Sequence, residues 1–355
     1  MSDLKINNIT DRTGGSGPVI AGVSTVSSTD AFTVPVGPTE FRGGRGRGIF
    51  AGGYNVPSPN LSNTMSYVEI PSTGNSIDFG DLARSGSTGS SSNSIRGVFN
   101  SGDVPNSINT MSYTVISSSG GVADFGDLSY VTRDGPYGAG DNTRGVLGGS
   151  AGGPSNMGGS PGQGVNYIDY INFATTGDSS EFGTLTIKRR GMGACSSPTR
   201  TVFGGGYIKP ANHTKIVDYV ITQTKGDAIH FGELTASRGH MGSASSTTRG
   251  IWYGGSIYPG SGGYTIYNTI DYITIPTLGN ATDFGDSITG GGDHFTTGTA
   301  SNKIRGCFGG CSTPTNLNTI AYVTIASTGN AADFGDLVEV MYNTAGASDS
   351  HGGLG

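Results

Sequence analysis

The sequence predicts an all-β fold, a six-bladed β-propeller from about residue 45 onward, preceded by an extended N-terminal arm over 1–44. Two observations carry this. A phrase that opens on Arg recurs six times, as RGIFAGG at Arg47, RGVFNSG at Arg96, RGVLGGS at Arg144, RTVFGGG at Arg200, RGIWYGG at Arg249 and RGCFGGC at Arg305. Each phrase is followed by a Tyr and then a Phe, as Tyr67/Phe79, Tyr113/Phe125, Tyr170/Phe182, Tyr219/Phe231, Tyr272/Phe284 and Tyr322/Phe334, always 12 residues apart.

A fixed period is the first thing to seek in a chain, because it decides the architecture. The Arg-to-Arg spacings are 49, 48, 56, 49 and 56. The constant 12 marks a hairpin, since a one-residue slip would turn its buried face outward. Its arms carry β-branched and aromatic residues, as in Ile270 to Ile275, and its bend holds Thr73-Gly74-Asn75, Gly120-Gly121, Gly177-Asp178, Gly226-Asp227, Gly279-Asn280 or Gly329-Asn330, residues that accept positive φ.

The Arg-to-Tyr distance instead runs 20, 17, 26, 19, 23 and 17, so a loop lies between the Gly-rich strand and the Tyr strand. All six such loops fall at one place in the repeat and are expected on one face of a disc, where a binding surface belongs. Between each Phe and the next Arg stands a strand of small residues, such as Gly242 to Ser246. Four strands per ~50 residues is the size of a Kelch-type blade. After Phe334 a seventh Arg is missing, which predicts that about 341–350 supply the first strand of the blade begun at residue 47, removing free sheet edges. The alternative is an open solenoid.

Composition narrows the functional classes. Glycine makes up 64 of 355 residues and charged residues only 13%. With net charge −6 and aromatics spread evenly, the glycines read as turns and not as disorder. A mildly acidic chain carries no nucleic-acid footprint, and the one basic cluster, Arg42 to Arg47, is short and spaced by glycine. There is no apolar run of membrane length and no secretory h-region after Met1, so neither membrane insertion nor export is expected. Cys195, Cys307 and Cys311 suit neither a disulfide framework nor a zinc site; Cys307 and Cys311 read as small core residues beside Gly309-Gly310.

Several motifs invite catalytic readings and fail them. Asp-Phe-Gly at Asp78, Asp124, Asp283 and Asp333 lacks the catalytic loop and β3 lysine of a kinase; with Glu181 and His230 in the same slot elsewhere, it reads as a strand end with Phe as core and Gly as turn. The Gly-rich runs lack the context of a phosphate cradle. His213, His230, His240, His294 and His351 show no metal-type spacing. No catalytic residue, cofactor or metal is therefore expected.

The repeated Arg47, Arg96, Arg144, Arg200, Arg249 and Arg305 admit two readings. They form an anion-binding ring, or each pairs with the acid after Phe-Gly: Asp81, Asp127, Glu233, Asp286 or Asp336, with Thr184 breaking the rule in blade three. Pairing is preferred, because a partly buried charge needs a partner. Trp252 stands where other blades have Phe or Leu and reads as core. The fifth loop, Ser256 to Tyr267, offers Tyr258, Tyr264 and Tyr267 among glycines, a ligand or interface candidate, or else simply the cover of its own base.

The block Lys5 to Arg12, continuing through Gly17 to Val23 and Gly37 to Gly48, resembles proteins encoded by marine tailed bacteriophages, especially those of cyanobacteria. The phrase Ser327 to Leu337 resembles the same group. The resemblance implies a virion structural or tail-fibre-like protein, assembled in the host cytoplasm in multiple copies. The chain also resembles Kelch propellers through its Gly-Gly doublets, although Phe replaces their usual Trp. Residues 1–44 are expected to anchor the propeller to other virion proteins. The expected function is thus a non-enzymatic appendage or decoration protein making protein or host-surface contacts, or alternatively a module reading host surface glycan. A propeller lyase or oxidase is the third hypothesis.

Overall fold

The computed structural model describes residues 46–354, apart from 56–59, 87–88, 101–107, 133–134, 153–163, 209–211, 259–262, 289–297 and 312–316. The expectation of an N-terminal arm over 1–44 lies outside the described residues. The described strands belong to one compact unit, Gly43–Gly355, and form the six antiparallel blades of a closed propeller, five of four strands and the first of five, with Met341–Tyr342 added beside Ala345–Ser348 on Arg47–Asn55.

Each blade has the same build. In the second blade, for example, the innermost strand Gly89–Ser92 pairs with Arg96–Asn100, which pairs with Ile108–Val115, which pairs with the outer strand Ala123–Thr132. The first blade takes its innermost strand, Ala345–Ser348, from the far end of the chain. Gly48 lies across from Ser348 and Ala51 from Ala345, which is the predicted ring closure.

The core consists of six apolar clusters, each shared by two adjacent blades. Val98, Met111 and Phe125 of blade two meet Leu147, Ile171 and Phe173 of blade three. The last seam is filled in the same way: Phe50, Val68 and Ile70 of blade one meet Cys307, Ile320 and Phe334 of blade six. Trp252 is fully buried at the seam between blades four and five, and its indole N–H donates to the Gly193 carbonyl at 3.2 Å. All three cysteines are buried thiols.

The constant spacing of 12 has a geometric cause. In all six hairpins the ladder slips at the same place, so that Phe79, for instance, is bulged between Asp78 (paired with Ser66) and Gly80 (paired with Met65). The bulge turns the Phe ring edge-on to its Tyr, with centroids 5.8 to 6.1 Å apart across the six blades. The Gly after Phe is therefore inside the strand, correcting the expectation of a turn. It is needed because the hairpin bend of the next blade docks there: a Cβ on Gly126 would lie 2.4 Å from the Gly177 carbonyl group. The N–H of Gly177 donates to the Phe125 carbonyl at 2.6 Å, and the equivalent bond recurs at every seam, including Gly74 onto Phe334 at 2.8 Å. Outer strands are thus covered by their neighbours' bends and not left as open edges.

Candidate functional site

Antiparallel pairing sends the beginning of each second strand to one end of the disc and its end to the other, which defines two faces. The first holds the repeated arginines and the hairpin bends. The second holds the variable loops and the links from outer to innermost strands, as the common register in every blade requires.

On the first face the arginines form a belt of staples between blades. Each guanidinium stacks over the Tyr of its own blade: Arg47 on Tyr67 at 4.2 Å, Arg96 on Tyr113 at 4.8 Å, Arg144 on Tyr170 at 4.5 Å, Arg200 on Tyr219 at 4.7 Å, Arg249 on Tyr272 at 4.6 Å and Arg305 on Tyr322 at 4.9 Å. Each Nη1 then donates to a main-chain carbonyl of the next blade. The acceptors are Ile116, Phe173, Thr222, Ile275, Ile325 and, closing the circle from Arg305, Ile70, at 2.7 to 3.2 Å.

The expected pairing with Asp81, Asp127, Glu233, Asp286 and Asp336 does not form. Arg47 lies across from Glu69 while Asp81 lies across from Thr64, and five residues of strand is about 17 Å. The same offset separates Arg96, Arg200, Arg249 and Arg305 from their supposed acids. Glu233 instead binds Lys215 at 2.8 Å. Among the described residues, Arg47 alone of the six meets a carboxylate, Glu69 at 3.0 Å. In the belt one donor of each guanidinium, Nη1, is turned between blades onto a carbonyl, and the planar face lies on the Tyr ring.

Along the axis the innermost strands are tied by hydroxyls. Ser90 and Ser92 donate to the carbonyls of Gly346 and Ser348, Ser196 to Gly140 and Ser243 to Ala194. The glycines among them allow the close approach anticipated for inner strands: a Cβ on Gly138 would lie 2.3 Å from the Ser90 oxygen. The remaining cavity is about 100 Å³, well below the ~300–1,000 Å³ of a small-molecule site. It is bordered mostly by small residues, with Tyr137, Met192, Met241 and His351, and no carboxylate is among the described residues that line it. His351 Nδ1 accepts from the Gly353 N–H at 3.2 Å and Nε2 meets the Ser92 carbonyl at 2.8 Å, so the ring is neutral and carries its proton on Nε2. Burial holds its pKa below the usual histidine value.

On the second face, blades four and five draw their loops out into short hairpins, Tyr207–Ile208 with Asn212–His213 and Ser256–Ile257 with Thr265–Ile266. The Tyr258 and Tyr264 rings are tilted against each other at 36° with centroids 4.8 Å apart, and Tyr264 is 39% exposed. Tyr267 is instead held beneath Arg238, 5.9 Å from its guanidinium, and thus covers the loop's base. Beside them Arg190 lies over Tyr207 at 5.0 Å and Tyr207 meets His213 at 5.1 Å. Burial first, then the Arg190 charge, pushes the His213 pKa down to about 4.

Sequence reasoning missed two buried ion pairs that hold this face. Arg189 meets Asp218 and Arg238 meets Asp271, both at 2.9 Å with all four side chains fully buried. Thr186 and Thr235 add hydroxyl donors to the same carboxylates. The signal was present: Arg189 and Arg238 both stand seven residues after Phe, and the next blade has Asp immediately before its Tyr. Asp169 fills that slot in blade three, where it accepts from the Ser129 and Ser179 hydroxyls.

The chain matches no protein-family model and no curated protein. Among the described residues no group of three His, Cys, Asp or Glu is placed to hold a metal, and no helix is long and apolar enough to cross a membrane.

Proposed function

We propose that the chain is a non-enzymatic structural component of a bacteriophage particle, a tail-fibre-like appendage or decoration protein whose propeller contacts other proteins or the host surface. One observation carries the binding role: length variation is confined to loops at one end of a disc whose other end repeats a single staple six times. A scaffold that is invariant at one end and varied at the other suits recognition by loops on a rigid base. The phage assignment is supported by the likeness of the Lys5–Gly48 blocks and the Ser327–Leu337 phrase to tailed-phage proteins. On this reading residues 1–44 attach to virion neighbours, the protein is present in multiple copies on the particle, and it is assembled in the host cytoplasm.

Deleting residues 1–40 tests the reading. The truncated protein is expected to fold and melt as the full chain does while failing to join particles; normal incorporation overturns it. Carbohydrate recognition is the second reading, favoured by the tilted Tyr258–Tyr264 pair and the exposure of Tyr264, because exposed aromatic faces suit the apolar faces of sugars.

A further inference from the structure

Five blades turn from the end of the innermost strand straight into the strand that opens on the repeated arginine. At each of these turns a side-chain oxygen of Asn93, Asp141, Ser197, Ser246 or Asn302 accepts from the main-chain N–H of the arginine, at 2.6 to 3.2 Å. Blade one has no such turn, because its innermost strand comes from the far end of the chain. Asp349 nevertheless accepts from the Arg47 N–H at 3.0 Å, and its own N–H donates to the Arg47 carbonyl at 3.2 Å. The cap is thus rebuilt between residues 302 positions apart, and the segment after it is free to cross the axis.

That segment, 350–354, closes the staple-face end of the axial cavity. His351 Nε2 meets the Ser92 carbonyl of blade two, and the 3-10 turn Gly352–Leu354 packs on the innermost strands of blades three, four and five. Gly352 and Gly353 are buried there. A Cβ on Gly352 would clash with the Ser246 carbonyl oxygen, and one on Gly353 with that of Gly140, so only glycine lets the two backbones come this close. The segment is folded by two bonds to His351: the Gly353 N–H donates to Nδ1 at 3.2 Å and the Leu354 N–H to the carbonyl at 3.0 Å.

From this geometry we propose that residues 350–354 are a stopper seated across the axial cavity, which acid opens through His351 while the blades stay closed. The imidazole seats the stopper in its neutral form, since a proton on Nδ1 would face the Gly353 N–H. Burial lowers the pKa of the seated ring, and it outweighs the Ser92 carbonyl and the Asp141 carboxylate, which act the other way. Asp141 is held by the N–H groups of Thr143 and Arg144 and by the Gln223 amide. Asp349, on the segment itself, is bound to Arg47, and blades four and five present uncharged Ser196 and Ser246. An unseated His351 titrates near ~6.5, as in a free chain. Below that pH the open form takes up a proton that the seated form resists, so its population rises by up to about tenfold per pH unit.

Amide hydrogen exchange of the full chain, corrected for the intrinsic effect of pH, reads the opening site by site. Protection of the Gly353 and Leu354 amides is expected to fall by up to about tenfold per pH unit below about pH 6.5, while Gly89–Ser92 and Gly193–Ser196 keep theirs. In His351→Gln the protection should not vary with pH over that range. Gly353→Ala, whose methyl meets the Gly140 carbonyl, should leave the segment unprotected at every pH with the blades still unfolding in one cooperative transition. Protection of Gly353 and Leu354 that ignores pH, a fall shared equally by the inner strands, or a pH slope that survives in His351→Gln overturns the proposal. So does failure of either variant to fold, which would make the segment part of the scaffold.

Discussion

Arg305 in the sixth blade donates to the carbonyl oxygen of Ile70 in the first at 3.2 Å. Its guanidinium also lies 4.9 Å from the ring of Tyr322 in its own blade. The same three-part contact is made at the other five seams, so the junction where the chain ends meet is built like those where the chain runs on. A stacked cation gains about 0.5–1 kcal/mol at partly exposed sites, and a charged donor on a carbonyl gains about 1.5–3 kcal/mol.

Replacing one staple should therefore matter, and six are available for comparison. Arg200→Ala is expected to lower stability by about 1–3 kcal/mol. Arg200→Lys should recover only part, because an ammonium keeps the charge without the planar stack. Urea midpoints measure both. A change below a few tenths of a kcal/mol would show that the staple is ornamental.

The buried pairs predict a larger and asymmetric effect. Asp271→Ala strands the Arg238 guanidinium in the core and should cost about 3–5 kcal/mol. The double variant Arg238→Met/Asp271→Leu should cost much less, since removing both charges removes the burial penalty with them. Denaturation of Arg238→Met, Asp271→Leu and the double variant completes a cycle, and additivity of the single losses would contradict the contact.

The two glycine classes separate in the same kind of experiment. Gly335→Ala places a methyl 2.4 Å from the Gly74 carbonyl oxygen, forcing adjacent blades apart at about 1–3 kcal/mol. Gly74→Ala meets nothing within 4 Å; both glycines sit at positive φ, 155 and 148, so a backbone strain of about 1–3 kcal/mol is common to the two and the clash is the difference. The order Gly335→Ala worse than Gly74→Ala is the checkable result.

Acid should loosen the propeller through its histidines. The His213 pKa is lowered to about 4 in the fold, below the ~6.5 of an unfolded chain. Between those values the unfolded state binds the extra proton, so stability rises with pH and is lost as pH falls from 6.5 toward 4. His351 acts in the same direction, since protonating Nδ1 breaks the bond from Gly353. Thermal unfolding of His213→Gln/His351→Gln across that range should show a flatter pH slope than the parent.

Much of this was legible in the sequence, for reasons particular residues make plain. The invariant Tyr–Phe separation is a hairpin plus one bulge, and neither tolerates insertion, so Tyr67/Phe79 and its five repeats locate every blade. The missing seventh Arg correctly assigned Ala345–Ser348 to blade one. The arginine pairing failed because proximity in the repeat was taken for proximity in space. Three antiparallel strands put Arg47 and Asp81 at opposite ends, and a main-chain carbonyl, which leaves no trace in side-chain identity, became the acceptor. Arg189–Asp218 escaped notice since its halves belong to different repeats.

The central claim is a circle closed by the chain's own last strand, and amide hydrogen exchange tests it most directly. Residues 345–348 should be protected as strongly as Gly89–Ser92 and Gly193–Ser196, the inner strands of blades two and four. Exchange of 345–348 at the rate of a free chain end, with 48–51 unprotected on that side, would contradict it.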